Sequence, residues 1–381
     1  MFDYQQQGNV FAKCAGGLEE PLARELHDLG CDRIEPQYLG VSFQVNPRTL
    51  YRTVLESRLA SHVLAPLTNF RCGSEYDLYN EIKNRDWSMI LDCDRTFAIQ
   101  SHVSDSRITH ERYAAQKMKD AIADWFVDKE GIRPSVDREN PDVWLDLNIR
   151  RNHATVSIDA SRGAMHRRGY RKQSVTAPMQ ETLAAAILTG ARWHGERPLY
   201  DPMCGSGTVL AEGLMMAGNV PAGFRRCKRS APVSSLPDYD QGLWDKVRAD
   251  AEAARVELPV GLVAGSDLDR DAIKASRTNL RRVPGGSDVP LSRADFRGLD
   301  GVENSLIVTN PPYGVRLEDR RTAHGIFEDL GNWLKRRCNG STAWVLCGDK
   351  ELVGALGLRP KRKIPIRNGG LECVLVELEL Y

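Results

Sequence analysis

A chain of 381 residues is long for one hydrophobic core, and 41% hydrophobic with 27% charged residues describes a globular protein of two or three domains, not a disordered one. Its 52 basic and 51 acidic residues leave a net charge of +1, which says nothing about partners, while no apolar run is long enough for a membrane span and the N-terminus lacks a secretory signal. Nine cysteines with no two-residue spacing exclude a zinc knuckle or a redox pair and suit a reducing, cytoplasmic compartment.

In chain order, Val10 to Ala15 reads as a strand, Leu18 to Leu29 as an amphipathic helix closed by Gly30, and Val41 to Val45 as a second strand. Pro47 suits a first helical turn and opens a helix to about Ser57. An apolar stretch from His62 to Phe70 follows, then a helix from Glu75, a strand from Thr96 to Val103 and a long helix from Thr109 to Asp128. Val143, Leu145, Leu147 and Ile149 alternate, Arg151 and Asn152 turn the chain, and Ala154, Val156 and Ile158 alternate again, which predicts a hairpin.

From Ala160 to Gln180 there is no acid, while Arg162, Arg167, Arg168, Arg171 and Lys172 are present with His166 and Tyr170 among them. Two further basic clusters are Arg225, Arg226, Lys228 and Arg229, and Arg359, Lys361, Arg362, Lys363 and Arg367. Cations without neutralising neighbours suit a phosphate backbone, and equally a solvated basic linker.

Beyond this stretch the pattern changes. Thr176 and Pro178 start a helix with Leu183, Ala184, Ile187 and Leu188 on its apolar side. Apolar strands then alternate with helices: Pro198 to Tyr200, Gly261 to Ala264, Ser305 to Val308, Thr342 to Leu346 and Glu372 to Leu380. Such alternation predicts an α/β fold with a mostly parallel sheet covered on both faces, where ligands bind at the carboxyl ends of the strands. Residues 218–258 interrupt the alternation as an inserted loop and helix.

Three features fall at those strand ends. Asp201-Pro202-Met203-Cys204-Gly205-Ser206-Gly207-Thr208 follows a strand and opens a helix. Leu210 stands where a dinucleotide fingerprint needs Gly or Ala, and no Lys-Ser/Thr pair follows, so a phosphate loop is excluded too. An acid before a short glycine turn suits a ligand with an amino-acid end, although a plain tight turn would look the same. Asp267, in Gly265-Ser266-Asp267-Leu268-Asp269, can accept both hydroxyls of a ribose, with Asp269 read as a helix N-terminal residue. Asp295 and Phe296 suit an adenine amino group and ring, or simply a surface acid beside a core aromatic. Asn310-Pro311-Pro312-Tyr313 follows the strand Ser305 to Thr309. Two prolines fix the backbone so that the Asn310 amide oxygen and the Pro311 carbonyl can accept both hydrogens of one planar amino group, and Tyr313 offers a face for stacking.

With these motifs in this order, residues 170–381 resemble a class I (Rossmann-like) methyltransferase of the Asn-Pro-Pro-Tyr amino-methylating group. Gly169-Tyr170-Arg171-Lys172, Ala177-Pro178 with Glu181-Thr182-Leu183, and Ile366-Arg367-Asn368-Gly369-Gly370-Leu371-Glu372-Cys373 resemble more narrowly the THUMP-domain RNA guanine-N2 methyltransferases, nearest the bacterial large-subunit (23S) ribosomal RNA enzymes. The resemblance implies a ferredoxin-like segment at 1–60, a THUMP domain at 61–160, a basic linker at 161–172 and a catalytic domain with a mostly parallel seven-stranded sheet at 173–381. It implies S-adenosyl-L-methionine as cofactor, held by Asp201, Pro202, Gly205, Gly207, Thr208, Asp267, Leu268, Asp295, Phe296 and Asn310. Cys204 lies in the same loop and is read as packing. The target base falls to Asn310, Pro311, Pro312 and Tyr313, and no metal is implied. Some relatives carry a second methyltransferase domain, and this sequence, ending at Tyr381, is expected to lack that activity. Arg316, Arg320 and Arg321 suit flanking phosphates or an exposed helix start. Structured RNA is the expected partner, ribosomal before transfer RNA. The alternatives are N6-adenine methylation of DNA, glutamine methylation in release factors, and an RNA-binding protein with a vestigial methyltransferase domain.

Overall fold

The computed structural model describes residues 1–175, 178–228, 230–313, 317–368 and 371–381, without the side chains of 317–320, 367 and 368. The expectations placed on Thr176, Ala177, Arg229, Arg316, Gly369 and Gly370, and on the side chains of Arg320, Arg367 and Asn368, lie outside the described residues.

The first half comprises α1 (Asp3–Gln7), β1 (Asn9–Lys13), α2 (Glu19–Asp28), β2 (Asp32–Gln37), β3 (Gly40–Gln44), α3 (Pro47–Glu56), β4 (His62–Arg71), α4 (Glu75–Lys83), β5 (Phe97–Ser104), α5 (Glu111–Glu130), β6 (Val143–Arg150) and β7 (His153–Asp159). Pro47 does stand in the first turn of α3, and the Asn46 side chain accepts from the Thr49 N–H at 3.0 Å, capping that turn. Arg151 and Asn152 take φ of 50° and 60°, the left-handed pair that a two-residue hairpin turn requires. The alternating residues of β6 and β7 are buried as their period demands. Among the described residues these strands form a seven-stranded sheet in the order β2-β3-β1-β4-β7-β6-β5. Ala12 of β1 lies opposite Val63 of β4, so segments 1–60 and 61–160 share one sheet.

The second half comprises α6 (Glu181–Gly190), β8 (Leu199–Asp201), α7 (Thr208–Ala217), α8 (Gln241–Ala253), β9 (Val263–Asp267), α9 (Arg270–Leu280), β10 (Leu291–Arg293), β11 (Leu306–Thr309), α10 (Leu317–Arg337), β12 (Thr342–Cys347), α11 (Lys350–Ala355), β13 (Arg362–Asn368) and β14 (Leu371–Glu379). Its described strands also number seven, in the order β10-β9-β8-β11-β12-β14-β13. The first five run parallel, β14 pairs antiparallel with β12, and β13 pairs antiparallel with β14. Every residue of β11 is buried, as a strand covered on both faces requires. The chain steps outward from β8 to β9 and β10, then returns to β11 on the other side. This reversal opens a crevice at the carboxyl ends of β8 and β11.

The middle of the insertion at 218–258 packs away from the domain that carries it, while Val220 and Leu258 at its ends stay with that domain's core. Cys227, Val233, Leu236, Trp244, Val247 and Ala251 join the core of the N-terminal sheet. Trp244 meets the Tyr51 ring edge-on at 6.0 Å, the Tyr51 hydroxyl accepts from the Asp240 N–H at 2.8 Å, and Arg48 pairs with Asp250 at 2.7 Å. Arg226 donates to the carbonyls of Val54 and Ser161, both at 2.7 Å.

The basic stretch departs from both expectations for it. Arg168 is 1% exposed and pairs with the fully buried Glu212, and Tyr170 is buried beside the same carboxylate. Arg162 pairs with Asp142, and Arg171 with Glu181. Only Arg167 and Lys172 of its cations are exposed. The missing acids are supplied from elsewhere in the chain, so the segment is an internal seam rather than a free cationic strip. Cations of the other two clusters are partly engaged as well: Arg226 as above, Lys361 with Glu379, and Arg362 with Glu377 and over the Trp344 ring.

Among the described residues no helix is long and apolar enough to cross a membrane, and no cluster of His, Cys, Asp or Glu could hold a metal ion. The nine cysteines are free thiols, eight of them buried.

Candidate active site

At the crevice the structure opens a cleft of about 690 Å³, lined by the ends of β8, β9 and β11 and the turns that follow them. Asp201 ends β8 with its carboxylate buried, one oxygen accepting from the Met203 N–H at 3.1 Å. Burial raises its pKa to about 7, well above an ordinary carboxylate. Cys204 behind it is buried against Ser276, and burial pushes its thiol far up, which makes it a packing residue and not a nucleophile.

The turn after Asp201 is held from several sides. Gly205 and Gly207 take φ of 54° and 80°, a region that side chains disfavour. The Gly205 N–H donates to the Asp267 carboxylate at 2.8 Å, and the Ser276 hydroxyl donates to the Gly205 carbonyl at 2.7 Å. Asp267 thus fastens the loop from the end of β9, and its other oxygen accepts from the Asp269 N–H at 2.9 Å. Each oxygen keeps a lone pair for a ligand hydroxyl. Asp269 caps α9 by accepting from Asp271, as expected of a helix N-terminal residue. Leu268 is 59% exposed at the rim.

Asp295 follows β10 and lines the cleft, clasped through both oxygens by Arg297, which holds its carboxyl below the usual range. Phe296 also lines the cleft but packs mainly into the core, edge-on to Trp333 at 6.1 Å. Asn310, Pro311, Pro312 and Tyr313 form the opposite wall. The Asn310 amide oxygen is buried without a hydrogen-bond partner, an acceptor turned to nothing in the protein. Such an atom is costly unless a ligand satisfies it.

The structure therefore brings Asp201, Pro202, Cys204, Gly205, Thr208, Asp267, Leu268, Asp295, Phe296 and the Asn310–Tyr313 segment to one cleft. Gly207 is set back from it, and a Cβ there would meet the Ser276 hydroxyl at 3.1 Å, so it serves the close approach of α7 to α9. Sequence reasoning missed Arg297, Gly348 and the residues that brace the glycine loop. A Cβ on Gly348 would stand 2.8 Å from the Tyr313 ring, so that glycine makes room for the aromatic. Its only sequence signal is a glycine directly after an apolar strand.

The donor and acceptor set fits a ligand with an amino-acid end, a ribose and a planar base: a recessed acid, a turn whose hydroxyl residues line the cleft, an acid at the second strand end and a third acid beside an aromatic. Opposite them stand one unsatisfied amide oxygen and a ring.

Residues 168–377 match the family described as RMKL-like, methyltransferase domain. Residues 72–159 match the THUMP domain, and 9–64 the RlmL ferredoxin-like domain. A protein of Synechocystis sp. named as an RNA methyltransferase is 36% identical over 97% of this chain and 96% of its own length. Ribosomal RNA large subunit methyltransferase K/L of Syntrophotalea carbinolica is 36% identical over 97% of this chain, which spans only 53% of that relative. The crystal structure of SMU.472 complexed with SAH superposes with a TM-score of 0.85 at 24% identity over 98% of each chain, a likeness of fold.

Proposed function

This chain belongs to the RMKL-like methyltransferase family, and from that premise we propose that it transfers a methyl group from S-adenosyl-L-methionine to N2 of a guanosine in structured RNA, with 23S ribosomal RNA as the substrate. The observation that carries the proposal is the buried, unpartnered Asn310 amide oxygen in a cleft that also presents Asp201 and Asp267.

Asp201 would hold the methionine ammonium, the glycine turn its carboxylate, Asp267 the ribose hydroxyls and Asp295 the adenine amino group. Bound there, the cofactor supplies an electrophilic methyl on a sulfonium. Asn310 and the Pro311 carbonyl accept the two hydrogens of the guanine amino group. They hold its lone pair in line with that methyl while Tyr313 stacks on the ring. Once methylated, the amino nitrogen would be acidic, and with Asn310 and Pro311 holding its hydrogens its surplus proton would pass to solvent. No thiolate is needed, in keeping with the buried Cys204. The target base must leave its stack to enter the cleft. The THUMP match over 72–159 supports RNA as the substrate.

The test is methyl transfer from labelled S-adenosylmethionine to unmodified ribosomal and transfer RNA, followed by nucleoside analysis. N2-methylguanosine in large-subunit RNA is the expected product. The same nucleoside in transfer RNA would overturn the substrate, and N6-methyladenosine would overturn the assignment of the base.

A further inference from the structure

Arg171 belongs to the segment that joins the two halves in sequence and does not line the cleft, yet its guanidinium reaches the cofactor turn from behind. Its Nη1 donates to the Ser206 hydroxyl at 2.8 Å and its Nη2 to the Thr208 hydroxyl at 2.9 Å. Nε donates to Glu181 at 2.9 Å, and Nη2 also reaches the Met179 carbonyl at 3.1 Å. Ser206 and Thr208 are 3% and 5% exposed, and both line the cleft.

A guanidinium only donates, so both hydroxyls must meet it as acceptors. Each then has one hydrogen left, which points away from Arg171. Among the described residues neither hydroxyl donates to a protein acceptor. The side away from Arg171 is the cleft, at the first turn of α7, where helix N–H groups also favour an anion.

We propose that Arg171 is a positioning residue that turns the hydroxyl hydrogens of Ser206 and Thr208 toward the carboxylate at the amino-acid end of S-adenosylmethionine. The proposal rests on that end of the cofactor lying over the glycine turn, as proposed above. Glu181 serves in turn to hold the guanidinium in place. A segment that the sequence offered as a phosphate contact or a solvated linker thereby acts on the cofactor, through two side chains.

The test compares two ligands by titration calorimetry on the full chain: S-adenosylhomocysteine, which has the carboxylate, and 5′-methylthioadenosine, which lacks the whole amino-acid end. R171M should weaken S-adenosylhomocysteine about ten- to a hundredfold and leave methylthioadenosine within about twofold, with R171K intermediate. Because R171M strands Glu181, S206A and T208V provide a second arm with the Arg171–Glu181 pair intact. Each should show the same selective loss. Equal weakening of both ligands, or S206A and T208V without effect on S-adenosylhomocysteine, would overturn the proposal. Wild-type protein that binds neither ligand would overturn the cofactor site itself, and the positioning role with it.

Discussion

With its carboxyl buried and its pKa raised to about 7 against an ordinary 3.8, Asp201 holds a proton in the folded chain that the unfolded chain has released between those two values. Stability of the ligand-free protein therefore falls as pH rises through that window and levels off above pH 7. Asp201→Asn removes this penalty. The free protein should melt a few degrees higher at pH 8, about 2–4 °C per kcal/mol relieved, while its affinity for S-adenosylhomocysteine drops. An unchanged melting temperature would contradict a strained carboxylate. In the wild type, an ammonium ligand favours the ionised form, so affinity should fall as pH drops below 7, by up to about tenfold per unit. Calorimetry between pH 5.5 and 7 reads this directly, and a flat profile would remove the charge contact. For Asn310→Ala we expect methyl transfer to fall about a hundred- to a thousandfold with cofactor affinity retained. Parallel loss of both would remove Asn310 from the base. Asp201, Asp267 and Asn310 were legible in the sequence because each ends an apolar strand beside residues that fix the backbone. Arg171 was not, since its partners are decided by where the chain returns. Arg171 meets Ser206, thirty-five residues ahead.

Among the elements, those with a clear apolar period were read close to their observed bounds, and those without one were missed. Strand β2 is an edge strand carrying Asp32, Arg33, Glu35 and Pro36 with no buried residue, a pattern that guards an edge and hides the strand. Strand β13 looked like a cation cluster because Arg362 and Lys363 fall on it, yet it pairs along its length with β14. The insertion was recognised as a loop and a helix, but nothing in its sequence names the core it enters. Trp244 is its anchor, 1% exposed against Tyr51. Trp244→Ala should cost about 3–5 kcal/mol and speed amide exchange in α3 while leaving α9 protected. Uniform exchange across both would mean that α8 does not support the N-terminal sheet specifically.

At the scale of the molecule, buried polar groups tie the two sheets together. Arg58, just beyond α3, donates to the carbonyls of Met215 and Val220 at 2.9 and 2.7 Å, and Arg168 donates to the Arg58 carbonyl at 2.5 Å while paired with Glu212. Arg168→Met leaves Glu212 buried without that partner and should cost about 3–5 kcal/mol in urea unfolding. Arg168→Met with Glu212→Leu should recover most of the loss. A single variant as stable as the wild type would show that the seam contributes nothing. The alternation of strands and helices in the second half was enough to foretell its parallel sheet. The seam was invisible, because its partners stand between 44 and 162 residues apart in the chain.

The N-terminal sheet is made first by the ribosome, yet part of its core lies on residues 227–251 and is synthesised last among its own pieces. A nascent chain ending near residue 165 would display Tyr51 and the flank of α3 to solvent or to chaperones, and only synthesis past Ala253 would cover them. Folding of the N-terminal half is therefore timed by translation of the second half, and a gene split between them would separate a core from its own lid.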